Sequence, residues 1–117
     1  MGYYTNFDLS VLSSNGKREA SVEELVKVAE RINELEAYPV FDIYLGFVHA
    51  SGNIKWYDWK KHCKTVSEEF PNYVIKISWA GEDIDDVGVC YFFRGKHQFE
   101  KFIAPPFDKS KLVEVAD

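Results

Sequence analysis

Hydrophobic and polar residues alternate over residues 3–12, with Tyr3, Thr5, Phe7, Leu9 and Val11 on one side of the chain and Tyr4, Asn6, Asp8 and Ser10 on the other. A period of two predicts a strand with one buried face. The polar stretch Ser13-Ser14-Asn15-Gly16-Lys17-Arg18 follows as a loop. Ser21-Val22-Glu23-Glu24 then has the form of a capping box, and Val22, Leu25, Ala29, Ile32 and Leu35 recur at helical spacing until Pro39 bounds the element. Residues 40–50 are apolar enough for either a strand, with Phe41, Ile43, Leu45 and Phe47 on one face, or a helical segment. Ser51-Gly52-Asn53 reads as a turn, Ile54-Lys55-Trp56-Tyr57 as a short strand and Asp58 as the N-cap of a second helix. In that helix Trp59, Cys63, Val66 and Phe70 form an apolar stripe, closed by Pro71 and Asn72. Period-two alternation returns at Tyr73, Ile75, Ile77 and Trp79. An acidic loop over 81–86, a strand from Val87 to Phe93, a turn at Arg94-Gly95-Lys96 and a last strand from Gln98 to Ile103 complete the pattern. Pro105 and Pro106 end the sheet, because neither can donate to a ladder.

This order predicts an α+β fold: a single antiparallel or mixed β-sheet with two helices packed on one face, in the manner of a ferredoxin-like sandwich. A doubly wound parallel sheet would need helices between the last strands, where the pattern offers none. One domain over residues 1–106 is expected, followed by a charged tail over 107–117.

Composition changes the picture in three places. The chain has 117 residues, 46% hydrophobic and 28% charged, which suffices for a core and excludes a disordered polar chain. Aromatic residues reach 16%, with nine Phe, seven Tyr and three Trp. The net charge of −5 excludes a surface that is basic throughout, as many nucleic-acid binders have, but leaves room for a local basic patch. No run of apolar residues is long enough for a membrane span, and the first residues lack the basic start and apolar run of a signal peptide. Cys63 and Cys90 form no CxxC pair and are expected as buried thiols in a reducing cytoplasm.

Four short segments carry a likeness. They are Gly2-Tyr3-Tyr4-Thr5, Lys55-Trp56-Tyr57-Asp58, Val66-Ser67-Glu68-Glu69-Phe70-Pro71 and Ala80-Gly81-Glu82-Asp83. Together they resemble small proteins of phages, prophages and plasmids with a GYYT-like start, a KWYD strand–helix junction, a helix ending in an FP stop and an acidic Gly-containing loop. The resemblance implies a compact ferredoxin-like α+β domain on a mobile element, without catalytic residues to carry over. The chain departs from that pattern at Trp59-Lys60-Lys61-His62, where such proteins continue with acidic residues, and over 38–50, which is far more apolar here.

Candidate chemistry gathers in two places. Lys55, Lys60, Lys61 and Lys64 against Asp58 give a local charge of +3, interleaved with Trp56, Tyr57 and Trp59. Stacking platforms beside phosphate partners suit single-stranded nucleic acid, whereas a solvated lysine face over two core tryptophans is the plainer explanation. Lysines at the start of a helix and Glu68-Glu69 at its end also oppose the helix dipole. The second place is the hairpin around Tyr91-Phe92-Phe93. One of Phe92 and Phe93 must face away from the helices, as an interface or under a tail that folds back.

The acidic residues Glu82, Asp83, Asp85 and Asp86 lack the spacing of a calcium loop, and a solvated loop that discourages edge pairing explains them better. His62 and Cys63 project about 100° apart on a helix and make a poor ligand pair. No phosphate-binding glycine loop, zinc spacing or nucleophile–base pairing stands out, so neither a cofactor nor a metal nor an enzymatic activity is expected. The pattern therefore points to a non-enzymatic interaction protein of a phage or mobile element with a protein partner. The alternative is a single-strand nucleic-acid-binding accessory domain.

Overall fold

The computed structural model describes residues 4–36, 39–50 and 54–116, within which six strands, two helices and one 3-10 turn are formed. The expected turn at Ser51-Gly52-Asn53 lies outside the described residues. Strand β1 (Thr5–Ser13) leads to helix α1 (Val22–Leu35), then to the short strands β2 (Phe41–Tyr44) and β3 (Phe47–Ala50). Helix α2 (Trp59–Glu69) is followed by β4 (Tyr73–Gly81), β5 (Val87–Phe93) and β6 (Lys96–Lys101), with a 3-10 turn at Lys109–Lys111.

The fold is α+β, but its strands divide into two sheets, not one. A four-stranded sheet has the order β1-β4-β5-β6 with every pairing antiparallel, while β2 and β3 make a separate hairpin. A ferredoxin-like sandwich joins the strands of its β-α-β-β-α-β unit in one sheet. Here β2 and β3 leave that role to the later hairpin. Their separation has a local cause. Leu45 and Gly46 both take positive φ, 53° and 78°, the two-residue turn that matches the twist of paired strands. The chain over 41–50 therefore folds on itself before it can join another strand.

The register decides which face is buried. Phe7 lies opposite Trp79, Leu9 opposite Ile77 and Val11 opposite Ile75, and Ile77 and Ile75 in turn face Cys90 and Phe92. These residues share the face onto which both helices pack. From α1 come Val28, Ala29 and Ile32, and from α2 Cys63 and Val66, all buried. The hydroxyl of Ser21 accepts from the Glu24 amide at 3.3 Å, which fixes the start of α1 as the capping box requires. At the far end Asn33 takes over: its Oδ1 accepts from the amides of Val40 (2.8 Å) and Phe41 (3.0 Å), and its Nδ2 donates to the Phe41 carbonyl (2.8 Å). One side chain thus anchors the entry to β2 against α1. Arg31 on α1 grips Glu69 of α2 with two bonds of 2.6 and 3.0 Å and also reaches Glu34, so the helices are tied on their solvent side too.

Ser67 is the one buried polar residue among the described residues. Its hydroxyl donates to the Lys64 carbonyl at 2.7 Å and accepts from the Gly95 amide at 2.9 Å. It thereby pins α2 to the turn between β5 and β6, where Arg94 and Gly95 take φ of 50° and 81°.

Candidate interaction surface

The structure divides the sequence-derived candidates between core and surface. Trp56 is only 3% exposed and Phe92 not at all. Trp56 packs edge-on against Phe7 and Phe41, and its Nε1 donates to Nδ1 of His62 at 3.0 Å. Phe92 faces the helices because it stands opposite Ile75, so Phe93 takes the other face, half-buried, with the Arg94 guanidinium 4.8 Å from its ring centre. Trp59 is partly buried and touches the rings of Phe7, Trp79 and Phe92.

The lysines are dispersed. Lys55 stands over the ring of Tyr4 at 4.9 Å, Lys64 is bridged to Glu68 at 2.9 Å, and Lys61 is exposed on α2. Lys60 sits 4.3 Å from the centre of the Phe99 ring and 5.5 Å from that of Trp59. With the exposed Tyr57 it borders a cleft of about 250 Å³ whose walls include Trp59, Trp79 and Phe99. One wall is acidic: Asp86 accepts from Nε1 of Trp79 at 3.0 Å. The acidic loop thus braces the main sheet, and Glu82 does the same by accepting from the Tyr4 amide at 2.9 Å.

Two features escape a reading of the sequence. The first is a meeting of Glu36, Asp58 and His62, whose candidate ligand atoms lie within 4.8 Å of one another. A four-coordinate ion at ligand distances near 2.1 Å needs separations of roughly 3.4 Å. The lone pair of His62 Nδ1 is already engaged by Trp56, which assigns the ring proton to Nε2. The trio marks where the end of α1 approaches the start of α2, with Glu36 Oε1 3.4 Å from His62 Nδ1.

The second feature is the edge of the main sheet. The Phe102 amide donates to the Val87 carbonyl at 2.8 Å, so in this register Lys96, Gln98 and Glu100 turn their backbone groups toward β5. The N–H and C=O groups of His97, Phe99 and Lys101 consequently point outward. Among the described residues no strand or loop pairs with them. The opposite edge is treated differently. Thr5 on β1 exchanges two 2.9 Å bonds with Ile54, the Val11 carbonyl accepts from Ala20, and the Ser13 amide donates to Arg18.

Beyond β6 the chain gives the sheet no cover. Residues 102–116 are all exposed, with Ile103, Phe107, Val113 and Val115 between 79% and 89% accessible. This arm does not fold back over Tyr91 and Phe93, which border an open groove of about 540 Å³ on the outer face with Val74, Lys96 and Gln98. No helix is long and apolar enough to cross a membrane among the described residues. Comparison with protein-family models, with curated proteins and with solved structures returns no match.

Proposed function

We propose that this chain is a non-enzymatic interaction domain that binds a protein partner through β6 and the apolar arm that follows it. The observation that carries this reading is the bare backbone of His97, Phe99 and Lys101, continuous with an arm whose large apolar side chains lie in water. Strand addition to a free sheet edge is a general mode of protein recognition. Exposed apolar side chains in such number mark an interaction site. A non-enzymatic role draws support from the thiols: burial holds Cys63 well above the ordinary thiol range and pushes Cys90 up to about 11, so neither supplies a thiolate near neutrality. The resemblance of four short segments to small phage, prophage and plasmid proteins supports a role on a mobile element, in a reducing cytoplasm where the two thiols would stay unpaired.

A photo-crosslinking side chain placed at Ile103 or Phe107 tests the reading, with Tyr44 on the β2–β3 hairpin as control. Discrete protein adducts from the arm and none from Tyr44 are expected. Equal labelling from all three positions, or none from any, overturns the proposal.

A second reading is favoured by the cleft alone. Tyr57, Trp59 and Lys60 could stack and neutralise one nucleotide of a single strand. Fluorescence anisotropy with single-stranded DNA and RNA decides it. Binding that weakens steeply with salt and with Lys60→Ala supports this reading, and no affinity at low salt removes it.

A further inference from the structure

We infer that the partner is a second copy of this chain, paired antiparallel through β6 about a twofold axis at Gln98. This rests on the reading of β6 as the contact surface and adds the identity of what covers it. Two sheets of four strands would become one of eight.

The argument is one of register. In an antiparallel pair, outward-pointing residues must meet outward-pointing residues, so His97, Phe99 and Lys101 can pair only among themselves. Four symmetric registers near the middle of β6 satisfy this condition, and the one centred on His97 sets Lys96 against Gln98 and Gly95 against Phe99, with no opposite charges facing. Centred on Glu100, the strand would set that carboxylate against its own copy. Centred on Phe99, it would set His97 against Lys101 on both sides of the axis, with no opposite charges facing. Centred on Gln98, it sets Lys96 of one copy opposite Glu100 of the other, twice, on the same face of the sheet. His97 then meets Phe99, each pair exchanging two backbone hydrogen bonds, and the two Gln98 amides meet on the axis.

The side chains required are in place for this. Lys96, Gln98 and Glu100 are exposed on the outer face, and among the described residues the Glu100 carboxylate is engaged only by the Gln98 amide at 3.4 Å, a long bond that a facing lysine would displace. Opposite charges directly across a ladder stabilise it and like charges oppose it. A strand reading Lys-His-Gln-Phe-Glu is self-complementary in this one register, because the lysine and the glutamate stand equally far from Gln98.

Sedimentation equilibrium on the full chain tests the pairing, using the variants Lys96→Glu and Glu100→Lys. The wild type is expected to form a dimer. Each single reversal places like charges across the axis twice and should weaken the dimer by roughly tenfold or more at low ionic strength. An equimolar mixture of the two variants should associate at least as tightly as the wild type. One copy then carries acids at both positions and the other bases, so every facing pair is opposite in sign. That restoration also shows that both variants are folded.

A wild type that stays monomeric at every concentration overturns the inference. A dimer indifferent to both reversals overturns it, as does a mixture no tighter than its components. If the chain is monomeric while its arm still cross-links to a different protein, the self-pairing falls and the protein-binding reading stands. If the arm cross-links to nothing and no dimer forms, both fall.

Discussion

Trp79 lies flat across β5 because the residue facing it is Gly88. The two are register partners, and a Cβ built at Gly88 would meet the Trp79 indole and the Glu100 carbonyl. Passing over the glycine, the indole reaches β6 and stacks on Phe99, with ring centres 4.9 Å apart and planes inclined by 22°. One aromatic contact thus spans three strands. Gly88→Ala should overpack this layer and destabilise the protein by about 1–3 kcal/mol, read as a lower urea midpoint.

Ser67→Ala keeps the packing of α2 but leaves the Gly95 amide without its acceptor. A loss of about 1 kcal/mol is expected for a half-buried donor so orphaned. Because this bond holds the β5–β6 turn to α2, amide hydrogen exchange should accelerate in β6 before it does in β4.

Trp56→Phe preserves most of the ring contacts with Phe7 and Phe41 while removing the donor to His62. The expected cost is about 1–2 kcal/mol, measured by denaturant unfolding. If His62→Gln on the same background costs nothing further, the two residues act as one unit.

The two thiols carry a pH signature. Burial raises both above the ordinary value of 9.0, Cys90 to about 11 and Cys63 further. The folded chain therefore keeps protons that the unfolded chain has released. Stability from this source is whole below 9.0 and is lost as pH rises through the folded values. Urea midpoints should fall above 9.0, and a double Cys→Ala variant should flatten that fall. At neutral pH a thiol reagent should modify neither cysteine until the protein unfolds.

Deleting residues 103–116 should leave the unfolding free energy in urea unchanged to within about 0.5 kcal/mol, because those side chains touch little of the body. Binding of a hydrophobic dye should drop. A large loss of stability would mean that the arm packs on its own domain.

Much of this fold is legible in the chain, and the reasons are physical. Phe7 to Val11, Ile75 to Trp79 and the stripe from Trp59 to Val66 announce themselves because each buries one face at a fixed period. Ser21 and Glu24 mark a helix start through short-range chemistry. The β2–β3 hairpin hides because Leu45 occupies a left-handed position for which leucine is not a signal, and because Phe41 to Phe47 satisfies more than one period. Whether Phe92 or Phe93 faced the helices depended on a long-range partner, Ile75. Trp56 and Trp59 could not be told from surface stacking platforms without knowing that Phe7 and Phe41 arrive beside them. The meeting of Glu36 with His62 and the openness of β6 are properties of topology, to which no local spacing points.

The unequal treatment of the two sheet edges sets a limit on growth. A sheet with two free borders propagates, since every addition exposes another template, and the product is a fibre. Here Ile54 and the segment from Arg18 to Ala20 occupy both ends of the β1 border, at Thr5 and from Val11 to Ser13, so the main sheet offers an incoming strand its β6 border first. If β6 pairs as inferred, the strapped ends of β1 leave a further strand little to add to, and assembly by this route would halt at two.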